Sequence, residues 1–274
     1  MRELTAVEAI WLVMGRELRA QRTSFLSWLV PLAGLVALTM SIQPQAAGQN
    51  GLLEAKLAMM PEALKQAFNL VGTDFSRPAG YLSANFITVT MGATIFAGLL
   101  GTSVVSREDA QRTAEAVLTL PVTRWQVLLG KGLTVASLLV AFHVVLLAVT
   151  VATLVSVVPG DRQLDLVLAM FAGAAMLGLC FAALGFAIAT VVSQARAAPN
   201  LSLGLVLGVY LLGVVAKLSP KAEGLASISP FALVEPSEIV KHGGLSLHAL
   251  WLPLIALAAS TAAIAWYERR DVRA

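Results

Sequence analysis

The sequence predicts an all-α polytopic membrane protein. It should hold six transmembrane helices, an N-terminal helix along the membrane surface and a polar helix between the second and third spans. Two observations lead there. Of 274 residues, 58% are hydrophobic and only 13% charged, against about 25% charged in an average soluble domain. Three long stretches also lack Asp, Glu, Lys and Arg altogether: 29 residues between Arg77 and Arg107, 29 between Lys131 and Asp161, and 30 between Asp165 and Arg196. A bilayer core takes about 20 apolar residues per helix, so each stretch is long enough to cross.

The chain reads as a single transmembrane domain over residues 1–274. Residues 1–23 come first. Leu4, Val7, Trp11, Met14 and Leu18 recur at three- and four-residue spacing, while Glu3, Glu8, Arg16, Arg19 and Arg22 fall largely elsewhere, an amphipathic helix pattern. Such a helix is expected to lie in the inner leaflet with its arginines near anionic lipid; packing on protein is the alternative. The spans come next, at about 24–42, 81–105, 127–158, 166–192, 199–216 and 249–267. The third and fourth exceed the bilayer thickness and must tilt or protrude. Pro31 and Pro253 are placed in the first turns of the first and sixth spans, where a missing donor matters least.

Residues 43–83 form too long a connection to be structureless. Leu53, Leu57, Met60 and Leu64 make one stripe there, and Pro61 suits the first turn of a second short helix. The loop at 217–248 is expected to hold a short helix near Pro236 to Lys241, ended by Gly243.

Six spans put both termini on one side. Lys and Arg number 12 in the short segments of that side (1–23, 106–131, 193–198, 268–274) and 7 in the longer segments opposite. By the positive-inside rule the termini and residues 106–131 are cytoplasmic. The sequence pI of 9.2 reflects 19 basic against 16 acidic residues, read here as loop charge that sets topology. No interleaving of aromatic and basic residues points to nucleic acid. Cys180, the one cysteine, lies in an apolar run and excludes an intrachain disulfide.

The polar stretch SREDAQRTAEAVLTLPVTRWQVLLGK, residues 106–131, stands out. Ala110, Ala114, Val117 and Leu118 recur at i, i+4, i+7 and i+8, so residues 108–120 read as an amphipathic helix. Glu108 with Arg112 and Gln111 with Glu115 supply its polar face. Pro121 stops it, Thr123 can cap the next helix, and Trp125 anchors the next span at the interface. A solvated loop would not need that construction; the segment reads as a surface for something in the cytoplasm to grip.

Glu108, Thr113, Glu115, Leu118, Pro121, Val122, Thr123 and Arg124, with Gly130 and Lys131 at the head of an apolar span, resemble the signature of the ABC-2 type permeases. The layout is similar too, with an SPF triplet at Ser229, Pro230 and Phe231 and a YERRD tail at 267–271. The resemblance implies an ABC-2 exporter type of fold and the membrane subunit of an ATP-driven exporter. It makes residues 106–126 a cytoplasmic coupling segment docking into an ATPase subunit. Carried over, Glu108, Arg112, Thr113, Glu115, Leu118, Pro121 and Arg124 become the coupling residues. Arg112 stands where the family usually has glycine, so a charge contact, or a pair with Glu108 or Asp109 on its own helix, is expected there in place of a tight backbone approach. The chain has no G-x-x-x-x-G-K-[ST] phosphate loop, LLGKGL at 128–133 lacking its leading glycine and hydroxyl residue. No cofactor is expected in this chain; ATP and Mg belong to the partner ATPase, present in two copies. A second permease, in a homodimer or heterodimer, completes the path, and the implied home is a bacterial or archaeal cytoplasmic membrane.

Small residues recur at close-packing spacing: Ala93, Ala97 and Gly101; Ala174, Gly178 and Ala182; Gly204 and Gly208. The first two sets are read as packing within one subunit. By family analogy the first, second and fifth spans line the path, making Gly204 and Gly208 the dimer or path candidates. His143 is the only ionisable residue in the span cores. Intramembrane ionisable residues are functional suspects, yet without a carboxylate partner a neutral imidazole bonded to a nearby carbonyl is the favoured reading. Met59, Met60, Met170 and Met176 are read as packing, not as a metal site.

Cargo on a mostly apolar path should be hydrophobic or amphipathic. Two alternatives remain: a related subunit that transmits force for metalloenzyme maturation, and a sensory or structural partner without cargo. An intramembrane protease lacks its motifs here, since no H-E-x-x-H is present and His242 and His248 have no metal spacing.

Overall fold

The computed structural model describes residues 5–67, 70, 73–111, 123–192, 194, 196–218 and 229–269. Among these the secondary structure is helical, without strands. The helices are α1 (Ala6–Gly48), α2 (Asn50–Ala58), α3 (Glu62–Ala67), α4 (Pro78–Gln111), α5 (Arg124–Val157), α6 (Leu164–Val191), α7 (Ala198–Leu218), α8 (Pro236–His242) and α9 (Trp251–Arg269). Six of them, α1, α4, α5, α6, α7 and α9, are long and apolar enough to cross a membrane.

Two helices form the centre. α4 and α6 make the most extensive pairing; α5 packs on α1 and α9 on α6. The α4–α6 pairing rests on small residues. A Cβ on Gly101 would lie 2.1 Å from the Ala182 carbonyl oxygen, and one on Gly185 2.4 Å from that of Gly98. Ala93, Ala97, Ala174 and Ala182 are all buried. In lipid no hydrophobic force draws helices together, so this close backbone approach supplies the packing. Phe25 of α1, Phe96 of α4 and Phe142 of α5 then knot three helices, with ring centroids 4.7 Å apart for Phe96 and Phe142 and 5.8 Å for Phe25 and Phe142.

One end of the bundle joins the close of α4, the start of α5, the close of α6, the start of α7 and the close of α9. Val105, Leu128, Phe186, Ala189, Ala198 and Ala263 cluster there. At the opposite end Gln43 of α1 donates to the Ser76 carbonyl (3.2 Å), and Gln163 accepts from the Ala79 N–H (3.3 Å). Buried hydroxyls on the spans mostly return to the carbonyl one turn back, as Thr94, Ser106, Thr134 and Thr150 do. That pattern leaves little polar demand on lipid.

Two expectations need correction. The surface helix over 1–23 is not a separate element: α1 is one helix from Ala6 to Gly48, started by a capping box of Thr5 and Glu8. No glycine or proline stands between Arg16 and Val30 to break it. Pro31 therefore lies deep inside α1 and not in a first turn; neighbouring helices make such interior prolines tolerable in membranes. Pro253, by contrast, is the third residue of α9. Along α1, Val7 and Trp11 point outward, while Ala9, Val13, Glu17 and Gln21 are buried against the bundle.

Beyond the spans, α2 and α3 are the two short helices expected between the first and second spans. Leu53, Leu57 and Met60 are half-buried, but Leu64 is exposed. Pro61 stands just before α3, its carbonyl accepting from the Leu64 and Lys65 N–H groups. α8 opens with Pro236 at its first position and closes at Gly243, whose φ of 74° is the left-handed cap that glycine adopts without strain.

Candidate functional site: the polar helix ends and the cavity beside α7

α4 outlasts its own span. Its charge-free stretch closes at Ser106, with Arg107, Glu108 and Asp109 following, and the helix continues to Gln111. On the other side of the polar stretch, Thr123 caps α5, with Gln126 Oε1 accepting from the Thr123 N–H at 3.0 Å. Glu108 thus lies in the last turns of α4 and Arg124 is the first residue of α5. Arg112, Thr113, Glu115, Leu118 and Pro121 lie outside the described residues.

The base of this stretch is polar and buried. Lys131, 2% exposed, donates to the Val104 carbonyl at 2.7 Å. Gln21 of α1, 3% exposed, donates to Ser103 Oγ at 3.0 Å. Glu17 is equally buried one turn earlier, with the Arg16 guanidinium 3.2 Å from its carboxylate. Gly130 lets α5 settle onto α1, since a Cβ there would meet the Ile10 carbonyl oxygen and Val13, each at 3.1 Å. Sequence reasoning had Gly130 and Lys131 only as parts of a pattern, and it missed Glu17, Gln21 and Ser103. Val13, Glu17 and Gln21 do stand four apart, and polar residues in step with an apolar face were the signal to follow.

His143 is buried in α5, its Nδ1 2.8 Å from the Leu139 carbonyl oxygen. That bond puts the proton on Nδ1 and leaves Nε2 an acceptor, which has no partner. Gly178 of α6 gives the ring its space; a Cβ there would meet His143 Cε1 at 3.3 Å. Among the described residues no group of three or more His, Cys, Asp or Glu could hold a metal ion. We expect His143→Leu to change stability in detergent by under about 1 kcal/mol, because an unpaired buried acceptor goes with the imidazole. Thermal unfolding checks this; a much larger loss would give Nε2 a role in the resting state.

Gly204 and Gly208 lie on α7, and added Cβ atoms at either would meet open space. Among the described residues nothing lies within 4 Å of where those side chains would begin. The glycine of α7 that does face protein is Gly213, where a Cβ would come 3.1 Å from Ser229 Oγ.

Gly213 borders a cavity of about 40 Å³ where the first turns of α4 meet the close of α7. Thr90, Tyr210, Lys217, Phe231 and Glu235 share its wall. Lys217 and Glu235 pair at 2.7 Å. Among the described residues the buried hydroxyls of Thr90 and Ser229 have no hydrogen-bond partner. Room for one or two waters would satisfy both. Sequence reasoning singled out the SPF triplet but not the cavity it helps to close.

A family model of the ABC-2 family transporter proteins matches residues 9–232. The chain belongs to that family. The match covers α1 to α7 and runs to the start of the 3-10 turn Ala232–Val234. This ABC-2 protein is therefore a transmembrane protein of the membrane-transport class. Among curated proteins nothing matches the chain.

Proposed function

We propose that the chain is the permease subunit of an ATP-driven ABC exporter, coupled to a separate ATPase through residues 106–126. The observation that carries the reading is the mounting of that segment. α4 projects past the end of its span and α5 begins with a capped turn, so both ends of residues 112–122 are held on helices that cross the membrane. A push delivered at either end of the segment would, in this reading, enter α4 or α5 directly. In this reading Glu108, Arg112, Thr113, Glu115, Leu118, Pro121 and Arg124 contact or support the ATPase, which holds the ATP and Mg. The permease itself is non-catalytic.

The working unit is two permeases with two ATPases. Gly204 and Gly208 on the open face of α7 suit close approach by the second permease or passage of cargo, and they support a path beside α4 and α7. The cargo is hydrophobic or amphipathic: α7 is apolar from Leu201 to Ala216, and the cavity at its outer end adds two hydroxyls, two aromatic rings and one neutralised charge pair. The excess of basic residues on the side of the termini supports a cytoplasmic placement for both ends and for the coupling segment, in the cytoplasmic membrane of a bacterium or archaeon.

The test is to express the chain with the ATPase encoded beside it, purify the complex and compare wild type with Glu115→Arg. We expect a two-plus-two mass for wild type. In the variant, assembly or coupled ATP hydrolysis should fall at least tenfold, since a reversed charge at a desolvated contact leaves a partner charge unpaired. An unchanged rate and unchanged assembly would remove Glu115 from the contact, and failure to recover any ATPase would remove the reading itself.

A further inference from the structure

We infer that Gln21 and Lys131 act as positioning residues that lock α1 to the two helices bearing the coupling segment, so that α1 moves with them. The inference rests on the ATPase-coupled reading for its functional part, and on geometry alone for the lock. Lys131 of α5 donates to the Val104 carbonyl and Gln21 of α1 to Ser103 Oγ. These are consecutive residues on a single turn of α4. Three helices are therefore pinned at one level, eight residues before position 112 and eight after position 123. Ser103 Oγ in turn donates to the Leu100 carbonyl at 3.0 Å, which fixes the hydroxyl that receives Gln21.

The chemistry makes this junction stiff. Lys131 and Gln21 are each at most 3% exposed, so neither can exchange its partner for bulk water when the helices part. A hydrogen bond from an ammonium is stronger than a neutral one, and leaving such a group unpaired in a buried place is costly. Gly130 removes the side chain that would hold α5 away from Ile10 and Val13 of α1. Backbone contact and buried polar bonds thus act together. Elsewhere in the spans most buried hydroxyls bond within their own helix; here the bonds run between helices. That difference marks this level as a joint and not as ordinary satisfaction of polar groups.

Hydrogen exchange of backbone amides, read by mass spectrometry, tests both parts. In the purified chain alone, Gln21→Leu and Lys131→Met should each raise exchange at residues 104–111 and 124–131 about tenfold while α6 and α9 keep their wild-type protection. Lys131→Arg, which keeps the donor, should behave as wild type. Unchanged exchange, or a rise throughout the bundle, would overturn the lock. In the complex with the ATPase, trapping nucleotide with vanadate should change exchange in residues 9–21 of wild type. That response should vanish in Lys131→Met while the ATPase stays bound. A wild-type complex in which residues 9–21 ignore nucleotide overturns the transmission while leaving the lock standing. A chain that recruits no ATPase sinks the coupled reading alone, because the first measurement needs no partner.

Discussion

Gly101→Ala is expected to lower the melting temperature of the purified chain by about 10 °C. The added carbon would lie 2.1 Å from the Ala182 carbonyl oxygen, well inside any real contact, and that oxygen belongs to the backbone of α6. It cannot rotate away as a side chain can. α4 and α6 must separate by more than an ångström, at the pairing with the largest contact in the bundle. Overpacking of this kind costs about 3 kcal/mol at the upper end of its usual range, and each kcal/mol shifts the melting of a chain this size by about 3 °C. Gly204→Ala is the control. Its Cβ meets open space, so replacing a helical glycine there should stabilise the monomer by up to about 1 kcal/mol. Thermal unfolding of both variants in one detergent decides the matter. Equal melting temperatures would show that the α4–α6 contact tolerates separation.

The second large effect is expected from Phe142→Ala. This ring is fully buried and lies 4.7 Å from Phe96 and 5.8 Å from Phe25, between centroids. Removing it opens a hole where three helices meet. Phe-to-Ala changes in well-packed cores cost about 3–5 kcal/mol, part of it from the cavity left behind. In lipid the transfer part shrinks while the lost dispersion contacts remain, so we expect the lower end of that range. Phe142→Leu should recover more than half of it. A loss below about 1 kcal/mol for the alanine variant, measured by the same unfolding assay, would mean that the neighbouring rings close the gap.

The second, third and fourth spans were legible because charge-free runs of 29 and 30 residues have few other uses in a chain this size, and the other three because each is an apolar run of about 18–19 residues. α8 was legible for a local reason: Pro236 fits a first helical position and Gly243 a left-handed cap. What failed was tertiary. Pro31 looked like a helix start, because nothing in the local sequence reveals that α1 continues through it and through Pro44 to Gly48. Gly98 and Gly185 went unnoticed, since a glycine that touches a carbonyl on another helix looks in sequence like a glycine that touches nothing. Gly204 and Gly208 show the converse: spaced four apart as close-packing residues are, they have no described neighbour within 4 Å of an added Cβ. Gln21 and Ser103 are 82 residues apart, beyond any periodicity argument. Most of the coupling residues were named from a resemblance, and Arg112, Thr113, Glu115, Leu118 and Pro121 lie outside the described residues.

α1 has 43 residues in one helix, which at 1.5 Å per residue is about 65 Å of rod. That is roughly twice the hydrocarbon thickness of a bilayer, so a rod of this length laid across a bilayer would extend beyond it at both ends. Such a rod is a lever. A swing of about 10° around its midpoint carries each tip about 5–6 Å, and the outer tip moves opposite to the inner one. A small rotation imposed at the level of Gln21 would therefore appear, reversed in sense, where Gly48 hands over to α2 on the far face.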